Sequence, residues 1–72
     1  MTERQFWTTL GERVRAFRKH GDMTQGELAE EAGYTRTSIA NLEAGRQKMP
    51  AYGLYRVARA LGVRLWEILP DD

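Results

Sequence analysis

Residues 24–46 read TQGELAEEAGYTRTSIANLEAGR, two short apolar-periodic stretches separated only by Ala32, Gly33, Tyr34 and Thr35. Helices this short are marginal in water by themselves, so the chain must hold them against each other and against a longer neighbour. Thr24 opens the first, and Glu27 three residues on completes a capping box. Its inward residues are Leu28, Ala29 and Ala32, with Ala29 small enough for a close helix approach. Gly33 supplies the sharp turn, because it accepts positive φ without penalty. Thr35 caps the second stretch, Ile39 and Leu42 point inward with Ala40 near the edge, and Gly45 ends it. The outward side of this second stretch is Arg36, Thr37, Ser38 and Asn41, where a merely solvated helix carries mostly Lys and Glu.

The flanking sequence supplies that neighbour. Apolar spacing is helical throughout, with no sustained strand alternation. A first helix starts at Thr2, with Gln5 as its capping-box partner, and places Phe6, Leu10, Val14 and Phe17 on one face with Trp7 beside them. Gly11 weakens its middle, and Gly21 is the expected left-handed cap. Pro50 suits the first turn of a fourth helix with Leu54, Val57, Ala58 and Leu61 as its buried stripe and Gly62 as its stop. A short apolar segment, VRLWEIL, precedes Pro70 and the acidic Asp71–Asp72 end. The expectation is an all-α domain over residues 1–72, five helices and no sheet, with a helix-turn-helix at about 24–44 and C-terminal helices at about 50–69.

Composition narrows the function. A chain of 72 residues holds one small core and needs good helix packing or a partner subunit when disulfides and metals are absent. There is no cysteine and one histidine, His20, so neither a thiolate nor a His-rich metal site is available, and no catalytic set can be assembled. His20 reads as a helix-end residue interacting with the helix dipole. No apolar run approaches the roughly 20 residues that cross a bilayer, and MTERQFWTTL lacks the apolar core of a signal peptide. A cytoplasmic protein without cofactors is expected. Net charge is only +1, but the signs are segregated: Glu27, Glu30 and Glu31 sit together, with Arg36, Arg46 and Lys48 beyond them and Arg13, Arg15, Arg18 and Lys19 before them.

The Gln25 that opens the second helix, the ELA after it, the Ala-Gly turn, the S-I-x-x-L-E-x-G of the third helix and the A-x-A-L-G-V of the fourth occur at fixed spacing. Together they resemble the Cro-type, lambda-repressor-like (XRE) helix-turn-helix family over about Leu10 to Leu69. The resemblance implies sequence-specific binding of double-stranded DNA by a regulator of transcription. The third helix would enter the major groove, which is wide enough to admit it. Arg36, Thr37, Ser38 and Asn41 would then meet base edges, with a phosphate as the alternative for Thr37, Ser38 and Asn41, while Gln25, Arg46 and Lys48 bind phosphates. Arg18 and Glu43 match a pair that is salt-bridged in some phage members, and the same ion pair is expected here. Three positions depart from the family pattern: Gly26, Ala51 after Pro50, and Arg64, which stands where the family often has a Ser or Thr cap.

Tyr52, Tyr55, Leu65, Trp66 and Ile68 exceed what a small core needs. Large aromatics left on a surface are typical interface anchors, so a homodimer built on these five residues is expected, reading a palindromic or pseudopalindromic operator. Val63, Leu65 and Leu69 are expected inward on the last helix, Trp66 and Ile68 outward. Glu30 and Glu31 read as a solvated face in preference to a contact with RNA polymerase. A rival reading is an antitoxin-like or adaptor module that chiefly binds protein. The basic residues Arg36, Arg46 and Lys48 favour DNA.

Overall fold

The structure, a computed structural model, describes residues 1–71, and Asp72 lies outside the described residues. Five helices follow in order: α1 (Glu3–His20), α2 (Gln25–Ala32), α3 (Arg36–Glu43), α4 (Ala51–Leu61) and α5 (Leu65–Ile68), with no strand among the described residues. The boundaries are written locally. Thr2 and Thr24 each accept the N–H of the residue three positions on, and the Gln5 and Glu27 side chains accept the cap N–H in return. Thr35 Oγ1 accepts Ser38 N–H at 3.0 Å. Gly33, Gly45 and Gly62 all adopt left-handed φ after α2, α3 and α4.

Two helix ends differ from expectation by one residue. Gly21 has φ −87 and its N–H still bonds Phe17 O at 3.0 Å, so the last turn of α1 continues through it. The left-handed residue is Asp22, φ 57, after which Met23 N–H returns to Arg18 O at 3.0 Å. Arg18 Nη1 also binds Met23 O at 2.9 Å, which draws the exit one residue downstream. Aspartate tolerates the left-handed region better than most residues because its short side chain bonds locally. Pro50 stands at the N-cap of α4, immediately before its first turn.

The core lies where α2 meets α3 and α4 while α1 closes one side. Leu10, Val14, Leu28, Ala32, Ile39, Leu42, Val57 and Ile68 are fully buried. Fully burying a large aliphatic side chain is worth about 1.5–3 kcal/mol relative to leaving it exposed, so this set is what makes helices of eight residues stable. Ile68 corrects the sequence reading. It was expected on the outward side of α5 as an interface residue, yet it closes the core at 0% exposure while Val63, Leu65 and Leu69 are only half-buried. With a helix of four residues, position along its single turn decides which side chain points in, and periodicity has no length over which to register. Met49, in the loop before α4, is a further core residue that periodicity misses for the same reason.

Close backbone approach replaces packing at two glycines. A Cβ on Gly11 would stand 2.3 Å from Leu42 O and 2.7 Å from Glu43 O, so α1 passes directly over the end of α3. A Cβ on Gly53 would collide with the Tyr34 hydroxyl at 2.0 Å, so α4 seats on the turn between α2 and α3. Arg13 donates from Nη1 to Leu69 O at 2.7 Å and lies 3.5 Å from Asp71 Oδ2, tying the segment after α5 to α1.

Candidate nucleic-acid interface

An α-helix turns about 100° per residue. On α3 the buried residues Ile39, Leu42 and Glu43 define the inward direction. Thr37 and Asn41 therefore lie near the centre of the outward face, while Arg36 and Ser38 lie on its two flanks. Arg36 and Thr37 are exposed, and Asn41 and Ser38 are half-buried. Ser38 is partly committed to the cap, since the Thr35 hydroxyl donates to its Oγ at 3.1 Å. No carboxylate lies on this outward face: the acid of α3, Glu43, is turned inward and buried.

Arg36 leans toward the start of α2. It lines a cleft with Lys19, Asp22, Met23, Thr24, Gln25 and Gly26. The first-turn N–H groups of a helix have no partner within it. At α2 the capping box occupies that of Glu27, leaving those of Gln25 and Gly26 facing outward. The macrodipole makes such an end attractive to an anion. Around Gly26 a Cβ would meet nothing nearer than Thr24 Oγ1 at 3.9 Å.

The orientation of this surface is held from below. Arg18 Nε donates to Glu43 Oε2 at 2.6 Å and Arg18 Nη2 to Glu43 Oε1 at 3.0 Å, a two-pronged ion pair between α1 and α3. Both residues are 8% exposed. The hydrogen bond to Glu43 raises the Arg18 guanidinium's pKa above its ordinary value against the opposing effect of burial. Gln25 Nε2 donates to the same Glu43 Oε1 at 3.0 Å, adding the start of α2. The side chain of Gln25 is thus engaged inside the chain. Sequence reading paired Arg18 with Glu43 but did not reach the Gln25 and Met23 arms of the network, which no local pattern signals.

Beyond α3, Arg46 is exposed and has no carboxylate partner among the described residues. Lys48 is exposed too, but its Nζ lies 2.8 Å from Glu3 Oε2. On α4 and α5, Tyr52, Tyr55 and Trp66 are 69%, 43% and 68% exposed. Tyr52 and Tyr55 stack with ring centroids 6.0 Å apart, and Arg59 Nη1 donates to Tyr55 Oη at 3.1 Å. These two tyrosines frame a shallow depression with Glu31, Arg56 and Arg59; Trp66 stands apart on α5 and Leu65 is half-buried. No helix among the described residues is long and apolar enough to cross a membrane.

Known proteins share both sequence and fold with this chain. A family model described as a helix-turn-helix domain matches residues 9–65. The immunity repressor protein of Bacillus phage phi105 is 36% identical over 64 residues, which is 89% of this chain but 44% of that repressor, so the chain spans less than half of its length. An uncharacterized HTH-type transcriptional regulator of Methanothermobacter thermautotrophicus is 47% identical over 49 residues, covering 68% of this chain and 71% of the relative. The crystal structure of the restriction-modification controller protein C.AhdI from Aeromonas hydrophila superposes with a TM-score of 0.85, covering 88% of this chain and 96% of that one; at 24% identity it speaks to fold alone.

Proposed function

Because this chain belongs to the helix-turn-helix family of transcriptional regulators, we propose that it binds double-stranded DNA sequence-specifically and controls transcription from a palindromic or pseudopalindromic operator as a homodimer. The observation that carries the reading is the outward face of α3: Thr37 and Asn41 at its centre, Arg36 at its flank, and its only acid turned into the core. In the major groove, Asn41 matches an adenine edge and Thr37 a thymine methyl or a base acceptor. Arg36 donates twice to a guanine edge, with Ser38 at the opposite flank. The N–H groups opening α2 at Gln25 seat a phosphate, and Arg46 and Lys48 hold the backbone beyond α3.

Occupying an operator suffices for repression. Glu30 and Glu31 are exposed, and a solvated face is preferred for them to a contact with polymerase. The partner puts the protein in the cytoplasm. An enzymatic role is not proposed, since the sequence relatives named above are a repressor and a transcriptional regulator. The dimer surface is Tyr52, Tyr55, Trp66 and the half-buried Leu65, with Ile68 removed from it.

Selection of bound sites from random duplex DNA tests the reading directly. A symmetric consensus is the expected product. Arg36→Ala should lose discrimination at one symmetric position per half-site, by about 1–3 kcal/mol for a two-pronged base contact. An unaltered consensus from that variant would reassign Arg36 to the phosphate beside α2, and no enrichment from the parent chain would remove the DNA reading.

A further inference from the structure

The proposed DNA face holds one cation that is already occupied. Lys48 Nζ and Glu3 Oε2 are 2.8 Å apart, with each side chain 67% exposed. They come together because the first half of α1 lies against the loop that leaves α3. Gly45, at φ 76, sits so near that a Cβ there would stand 3.0 Å from Thr8 Cα. Glu3 is also in the first turn of α1, where the macrodipole favours an anion. The Lys48 hydrogen bond, then its charge, then a hydrogen bond from Trp7 hold the Glu3 carboxyl below its ordinary range, so it stays ionised at neutral pH. Arg36 and Arg46 have no such partner among the described residues.

A carboxylate and a backbone phosphate present the same chemistry to an ammonium: an anionic oxygen accepting an N–H. They compete for it. We propose that Glu3 is an intramolecular competitor of the DNA backbone, holding Lys48 in the free protein and lowering affinity for duplex DNA of every sequence. The inference rests on the DNA-binding reading above. Two routes lead to the same outcome. If Lys48 stays with Glu3, one phosphate contact is lost. If Lys48 moves to a phosphate, its contact with Glu3 is given up in exchange. An exposed pair of this kind contributes little to folding stability, so its consequence is read in binding.

The experiment compares the parent chain with Glu3→Gln, Lys48→Gln and the double variant, by fluorescence anisotropy on a labelled random-sequence duplex over a range of salt. Glu3→Gln should bind about two- to five-fold tighter at low salt, the range that an exposed ion pair supplies. The gain should fade as salt shortens the screening length. Lys48→Gln should bind more weakly than the parent, and in its background the Glu3→Gln gain should vanish. A carbon NMR titration of the free protein supplies a readout without DNA: Lys48→Gln should return the Glu3 carboxyl toward its ordinary pKa. Glu3→Gln binding like the parent overturns the inference. So does an equal gain with or without Lys48, which would make Glu3 a general repulsive charge, or a Glu3 titration that ignores the loss of Lys48. A parent that binds no duplex at low salt overturns this inference and the DNA reading together, whereas a binding parent with an unresponsive Glu3→Gln overturns this inference alone.

Discussion

Glu43 receives donors from Arg18 on α1 and Gln25 on α2, and Arg18 reaches on to the Met23 carbonyl. One carboxylate therefore joins three helices beneath the outward face of α3. Breaking a buried pair by removing one partner leaves an uncompensated charge, at a cost of about 3–5 kcal/mol. Glu43→Gln should approach that loss in urea unfolding, and replacing both Arg18 and Glu43 with Met should cost less than the single change. A double-mutant cycle with no coupling would show that the pair does not form in solution. Glu27 offers a pH-dependent counterpart. Its carboxyl is held below the ordinary range by the Thr24 backbone N–H and then the Thr24 hydroxyl. The folded state therefore binds fewer protons at this group than the unfolded state does. Its contribution is present in full above the unfolded pKa and is lost as pH falls through the lowered folded value. Glu27→Gln should accordingly flatten the acid limb of the stability profile and leave its neutral region parallel to the parent's. An acid limb of undiminished slope would place the titrating carboxylate elsewhere.

At the scale of the element, the same substitution at two glycines of neighbouring helices should have opposite signs. Gly26 is a helical residue with nothing nearer to a new Cβ than Thr24 Oγ1 at 3.9 Å. Gly26→Ala should gain up to about 1 kcal/mol of helix propensity. Gly11 lies within a helix too, but its Cβ would enter the space of the Leu42 and Glu43 backbone. Neither backbone can step aside without lifting α3, so Gly11→Ala should destabilise by about 1–3 kcal/mol, the usual cost of overpacking. Thermal melts of the two variants check both signs, and a stable Gly11→Ala would mean that α1 does not cross α3 so closely. Propensity treats these glycines alike, and only the neighbour decides between them.

For the whole molecule, size bears on assembly. The principal extents are 30 × 21 × 21 Å, and one copy carries a single helix, α3, proposed to read DNA. Successive major grooves on one face of DNA are about 34 Å apart, so reading two half-sites takes two copies. The exposed Tyr52, Tyr55 and Trp66 lie on α4 and α5, and an isologous contact is the commonest way to bury exposed aromatics of this kind. If the proposed homodimer forms through these residues, Trp66→Arg should shift it toward monomer in sedimentation and weaken binding to a palindromic site more than binding to a single half-site. An unchanged sedimentation profile would leave the stacked Tyr52–Tyr55 pair as the anchor, since Trp66 is not part of the depression those residues line.

The helix ends and the inward stripes were legible in the sequence because they are set by contacts spanning three to five residues. Thr2 with Gln5, Thr24 with Glu27, and the left-handed glycines 33, 45 and 62 each follow from chemistry that one turn of chain contains. The outward set on α3 was legible for the same reason, being what remains once the stripe is assigned. What tertiary structure alone decided is where one element lies on another. Packing put Ile68 inside, buried Met49, moved the left-handed turn from Gly21 to Asp22, and gave Gly11 and Gly53 their close neighbours. It also brought Arg13 to the Leu69 carbonyl 56 positions away and Lys48 to Glu3. A periodic pattern states which side of a helix is apolar. It does not state the angle at which that side meets its partner, and that angle determines which charges stand unpaired on the surface and which are already held.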